Sequence, residues 1–206
     1  MHNLFIAVEG TDGSGKSSQV KLLAEKLESA GHKIYTTFEP TDGIIGSMVR
    51  NILKGSLKAD NRTIAALFLA DRLDHLLNET NGIIKKLNEG YTVITDRYYF
   101  SSYAYHGTHM DMDWVIESNK ICAQILRPDV NIFIDVPPET CMQRINESRK
   151  STELYETLDN LNKVREKYFE AFEKLKQEEN IVLIDGNRSI EAISTDIWKE
   201  VDKRLA

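Results

Sequence analysis

Five short apolar runs punctuate the chain, at Leu4 to Val8, Lys33 to Phe38, Tyr91 to Thr95, Val130 to Ile134 and Ile181 to Ile184, each of strand length. Between them lie longer stretches in which apolar residues recur every third or fourth position, the spacing of amphipathic helices. Val20, Leu23 and Leu27 form such a stripe in the first stretch, Ser17 to Ala30, and Gly31 follows where a left-handed cap is least strained. The other helical stretches run from Gly43 to Lys54, Asn61 to Leu87 with a break near Asn78, Asp113 to Ile125, Pro138 to Asn146, Leu158 to Lys176 and Ile190 to Leu205. Strands alternating with helices predict an α/β fold, a five-stranded parallel sheet with helices on both faces. Ligands of such sheets gather at the carboxyl ends of the strands.

The first of those ends carries Gly10-Thr11-Asp12-Gly13-Ser14-Gly15-Lys16-Ser17, which fits the phosphate-binding pattern G-x-x-x-x-G-K-[ST] at every fixed position. Glycines let successive backbone N–H groups turn toward phosphate oxygens, and the following helix adds the positive end of its dipole. Lys16 brings a mobile charge for the β- and γ-phosphates, and Ser17 a hydroxyl for Mg²⁺. The whole run through Ser18 is the expected ATP site.

Other polar clusters follow other strands. Asp96-Arg97 delivers a carboxylate suited to the Mg²⁺ side and a guanidinium suited to phosphate. Glu39-Pro40-Thr41-Asp42-Gly43 follows the second strand, with Arg50 one helix further on; Asp42 alone reads as a cap, Glu39 as a site residue. Phe68 and Arg72 stand four apart, on one helix face, where a ring and a planar fork of donors suit a base. Tyr98 to Gly107 is dense in aromatics and hydroxyls and reads as a loop around a sugar and base, with His106 facing the ligand. Arg144 to Glu156 is polar, carries Arg149-Lys150 at its middle, and reads as a lid closing over phosphates.

Composition narrows the possibilities. At 206 residues, 41% hydrophobic and 28% charged, the chain suits one domain with a lid, and no linker or repeat divides it. A net charge of −6 argues against a polymeric nucleic-acid partner. No run approaches membrane-span length and no cleavable leader precedes Leu4, so a cytoplasmic protein without a membrane partner is expected. Cys122 and Cys141 sit among apolar neighbours and read as buried thiols. His2, His32, His75 and His109 show no metal-ligand spacing.

The segments FIAVEGTDGSGKSSQ, EPTDG, LFLADR, DRYYFSSYAYHG, IDVPP and LIDG stand in the order and spacing of the thymidylate kinases, and the chain resembles that family over nearly its whole length. The resemblance implies phosphorylation of dTMP by MgATP in a homodimer of the phosphate-loop nucleotide kinase fold. It implies that Phe68 stacks on thymine, Arg72 donates to a base carbonyl, Ser102 helps read the base edge and Tyr105 packs beneath the deoxyribose. Asp12 matches a carboxylate near the sugar 3′-hydroxyl, Arg97 the arginine holding the acceptor phosphate, and Arg50 a further acceptor-site arginine. With no arginine among Thr11 to Ser14, the chain resembles the group whose catalytic arginine lies in the lid, here Arg149; Glu153, Tyr155 and Glu156 fit the lid's distal segment. His106 stands where many relatives have glutamine, and Phe38 where many have arginine.

Two rivals share these features. Another nucleoside or nucleoside monophosphate kinase, for example one acting on deoxynucleosides, also uses a phosphate loop and an Asp-Arg pair; an unphosphorylated acceptor needs a carboxylate such as Glu39 to take up its proton. A nucleotide-dependent switch shares the loop, but the N-K-x-D guanine signature is absent and a second, base-shaped site serves no purpose there.

Overall fold

The ladder bonds of a parallel sheet need backbone, not apolar side chains, so strands run past the hydrophobic residues that announce them. The computed structural model describes residues 3–148 and 154–205. Its strands are β1 (Phe5–Glu9), β2 (Ile34–Phe38), β3 (Thr92–Asp96), β4 (Val130–Asp135) and β5 (Ile181–Asp185). Four of them extend one residue beyond the apolar run, onto an acid: Glu9, Asp96, Asp135 and Asp185. β2 ends at Phe38, and its acid, Glu39, comes next.

All neighbouring strands are parallel, in the order β2-β3-β1-β4-β5, which puts β1 and its following loop at the centre. Successive side chains of a strand face opposite sides. Phe5 and Ala7 therefore join one core layer and Leu4, Ile6 and Val8 the other.

Among the described residues nine helices cover the sheet. α1 (Lys16–Ser29), α7 (Pro138–Ser148) and α9 (Ile190–Leu205) pack on the Leu4 side. α3 (Asn61–Leu77), α4 (Ile83–Asn88), α5 (Tyr99–His106) and α6 (Met112–Ile125) pack on the Phe5 side, and α8 (Leu158–Leu175) contributes to both layers. α2 (Ile44–Leu53) lies against α3. The break expected near Asn78 separates α3 from α4, where the Asn78 side chain accepts the Thr80 N–H at 2.9 Å. Cys122 and Cys141 are free and buried. No described helix is long and apolar enough to cross a membrane.

One element departs from expectation. Tyr98 to Gly107 is not a loop, because Tyr99–His106 forms α5. No local side chain caps this helix; instead the buried carboxylate of Glu9, at the end of β1, accepts from the Tyr98 N–H at 2.8 Å and the Ser101 hydroxyl at 2.6 Å. A cap supplied from about 90 residues away leaves no signature in the neighbouring sequence.

Candidate active site

Along the carboxyl edge of the sheet two adjoining cavities meet at the end of β1. The first, of about 650 Å³, is bordered by Asp12, Gly13, Gly15, Lys16, Ser17 and Ser18. Gly13 and Gly15 hold φ of +79° and +91°, a region that side chains resist, and Gly15 starts α1 without a side-chain cap. The first-turn N–H groups of α1 thus remain available to an anion. Gly10, Thr11 and Ser14 stand behind this rim, and the Lys16 ammonium donates to the Gly10 and Thr11 carbonyls at 3.0 and 2.9 Å. Burial, then the nearby Arg97 charge, pulls Lys16 below the usual lysine range. The Ser17 hydroxyl donates to Asp96 at 2.6 Å, placing two hard oxygen donors side by side at the cavity wall.

The second cavity, of about 230 Å³, is walled by side chains from α2, α3 and α5: Arg50 and Leu53, Phe68, and Ser101, Ser102, Tyr105 and His106. Phe68 and His106 form its aromatic floor, ring centroids 5.2 Å apart. Burial above all, with the Arg72 charge behind it, drives His106 down to about 3, so the imidazole is neutral at physiological pH. Arg50 donates to the Pro40 and Thr41 carbonyls and to Ser47. Tyr155 closes one side, packed edge-on against Tyr105 at 5.8 Å, while the neighbouring Leu154 N–H donates to the Leu53 carbonyl.

The two cavities share a wall of three residues, Asp12, Phe38 and Arg97. Arg97 donates to Asp12 at 2.6 Å, to Ser101 at 3.0 Å, and to the Tyr105 hydroxyl at 3.3 Å, and its guanidinium lies over the Tyr105 ring. Burial works against its charge, yet the Tyr105 and Asp12 oxygens more than offset that and hold it protonated. Its backbone has φ +76°, the one left-handed non-glycine among the described residues. Such strain persists where surrounding contacts over-determine it, as at functional sites. Here the Arg97 N–H is held by the Val8 carbonyl, and its C=O by the Thr95 hydroxyl.

Arg72 is placed differently from the reading that set it against a base. It is 1% exposed and borders neither cavity. Its five N–H groups go to Glu39, which accepts two, and to Ser102, Asn119 and the Tyr98 carbonyl. Glu39 also pairs with His75 at 3.0 Å, and His75 meets Thr37 at 2.7 Å. Burial alone raises a carboxylate, but the Arg72 charge and the hydrogen bond with His75 outweigh it and hold Glu39 below its ordinary value. Arg72 thus stands one hydrogen bond behind Ser102, which does border the second cavity.

The structure brings Asp12, Lys16, Ser17, Ser18, Glu39, Arg50, Phe68, Asp96, Arg97, Ser102, Tyr105 and His106 to the two cavities. Arg149, Lys150 and Glu153, at the middle of the expected lid, lie outside the described residues, as does His2. Before them, α7 continues to Ser148 instead of stopping at Asn146, and Arg144 borders the phosphate-loop cavity. Glu9 and Asn119 were not read as site features, whereas His75, which showed no ligand spacing, takes a buried structural place against Glu39. A buried acid directly before a phosphate loop was the available signal for Glu9; Asn119 gave none.

A phosphate-binding loop, a separate aromatic-floored cavity and a charged wall between them, all on the carboxyl edge of a parallel sheet, define a phosphate-loop nucleotide kinase. The profile of the thymidylate kinase family matches residues 8–197. Proteins described as probable thymidylate kinases include one from Methanocaldococcus jannaschii, 36% identical over 95% of this chain and 94% of its own. Those from Caldivirga maquilingensis and Pyrobaculum aerophilum are each 38% identical over 98% of this chain, covering 94% and 97% of theirs. The chain belongs to the thymidylate kinase family.

Proposed function

We propose that the protein transfers the γ-phosphoryl group of MgATP to the 5′-phosphate oxygen of dTMP, giving dTDP and ADP. As a member of its family it is an ATP-dependent phosphotransferase. The observation that carries the reading is the shared wall: a phosphate-loop cavity and a base-sized cavity meet at Asp12, Phe38 and Arg97, so two nucleotides bound end to end present their phosphates to each other.

The acceptor oxygen is already anionic at neutral pH, so the residues serve chiefly to align and to neutralise. ATP binding draws Lys16 from its own loop carbonyls onto the β- and γ-phosphates. Arg97 holds the acceptor phosphate while Asp12 and Tyr105 fix its fork. Arg149, outside the described residues, takes the part of the lid cation over 144–156, a role resting on the family resemblance. In the acceptor cavity Phe68 stacks on the base, Tyr105 packs under the sugar, Arg50 adds charge, and His106 and Ser102 meet the base edge. Arg72 acts from behind, donating to Ser102 and so orienting that hydroxyl at the base edge.

Mg²⁺ fits beside the loop, because Ser17 and Asp96 offer adjacent oxygen donors and this ion needs few protein ligands when phosphates and water supply the rest. When bound it neutralises charge on the transferring group. Exposed Trp114 and Ile121 on α6 and Ile44 and Met48 on α2 support a homodimer. Free, buried thiols and small nucleotide substrates support a cytoplasmic setting.

The deciding experiment is ADP release across a panel of nucleoside monophosphates and thymidine. dTMP leads, and dUMP trails by about 10–200-fold because a methyl group discriminates only that much. AMP or GMP outpacing dTMP, or thymidine replacing it, refutes the proposal. Lys16→Ala abolishes turnover with the circular dichroism spectrum kept.

A further inference from the structure

We infer that Phe38 is the wall that keeps water from the γ-phosphoryl group in transit, so that a nucleotide phosphate rather than solvent accepts it. The inference rests on the transfer reaction proposed above and assigns its fidelity to one side chain.

Of the three residues common to both cavities, two are charged and paired with each other. The third is a phenyl ring, 43% exposed, at the end of the edge strand β2. Its chain neighbours on the phosphate-loop side, Thr36, Thr37 and Glu39, are polar, and Val20 of α1 is apolar, so the ring extends the apolar part of a mixed wall. The backbone fixes it there: Phe38 is in register with Asp96 of β3, and the next N–H, of Glu39, donates to the Asp96 carbonyl at 3.0 Å. An exposed ring is thus held beside the carboxylate on the metal side of the site, where phosphates from the two cavities meet.

A ring at that place neither neutralises charge nor donates to an oxyanion. The base floor is made elsewhere, by Phe68 and His106, so stacking does not require it. What apolar bulk does between two polyanions is displace solvent. In the reaction it suppresses, a water oxygen bonds to the γ-phosphorus as the bond to the ADP oxygen breaks, and the proton of water passes to solvent.

The test compares phosphate release with dTDP formation at saturating ATP and dTMP for wild type, Phe38→Ala and Phe38→Leu. The expected result is a rise of about 10-fold or more in the hydrolysis-to-transfer ratio for Phe38→Ala, with Phe38→Leu close to wild type because it keeps apolar bulk. An unchanged ratio in Phe38→Ala overturns the inference, even with a higher KM for dTMP, which reassigns the ring to acceptor binding. Equal leakage in the Leu variant overturns it too. Wild type forming no dTDP at all defeats the transfer reading itself, and the inference falls with it; dTDP formation with an unaffected ratio defeats the inference alone.

Discussion

The Asp12 carboxylate and the Arg97 guanidinium meet at 2.6 Å on the wall between the two cavities, and the Tyr105 hydroxyl donates to the same carboxylate at 2.7 Å. The pair aims a fork of donors instead of leaving a loose cation. Arg97→Lys keeps the charge but loses the fork, and kcat/KM for dTMP is expected to fall about 10²–10³-fold. Asp12→Asn, which keeps an acceptor but weakens the hold, is expected to fall less. Steady-state kinetics with varied dTMP decides the order, and equal losses in the two variants contradict it.

Arg72 and Glu39 are each 1% exposed in their side chains and 2.6 Å apart. Removing one partner strands the other's charge in the interior. Arg72→Met is expected to destabilise by about 3–5 kcal/mol, and adding Glu39→Gln to recover part of that. Urea unfolding measures both; a double variant no more stable than the single one contradicts the account.

His106 titrates at about 3 in the folded chain against an ordinary value of 6.5. A depressed folded value means that the unfolded chain binds the extra proton between those limits. Stability is therefore whole above pH 6.5 and declines as pH falls toward 3, by about 1.4 kcal/mol per unit at the steepest. His106→Gln removes that share of the slope. Denaturant midpoints at pH 7.5, 6 and 5 for both proteins test it, and parallel slopes refute it.

Gly13 has φ +79°, and a Cβ there stands 2.5 Å from the Cys141 carbonyl oxygen of α7. The obstacle is backbone, so it cannot swing aside. Gly13→Ala is expected to weaken ATP binding by tenfold or more, about 1.4 kcal/mol, and to lower the melting temperature; calorimetric titration and a thermal melt report each. Wild-type affinity in the variant counts against a strained contact.

Much of the fold was legible because its signals are local. Alternation marked five strands, stripes marked most helices, and the loop from Gly10 to Ser17 announced its ligand by the spacing of its glycines, Lys16 and Ser17. α5 was not legible, since Glu9 caps it from a distant strand and its own aromatic residues favour no helix. Similarly, Phe68 and Arg72 at helical spacing suggested one shared face, yet one side chain enters the cavity and the other is drawn behind it by Glu39 and Asn119. Spacing fixes where side chains start, and partners across the fold fix where they end.

Every strand of the sheet finishes on, or just before, an acid, along the rim that must receive polyanions. Left bare, that rim would repel its ligands. Instead each acid recruits a companion: Arg72 stands by Glu39, Ser17 by Asp96, Arg165 by Asp135, Arg188 by Asp185, and hydroxyls surround Glu9. The acids act as anchors that station positive and proton-donating groups along the carboxyl edge of the sheet, some buried behind the cavities, before any phosphate arrives, so the attraction is assembled during folding and not at the moment of encounter.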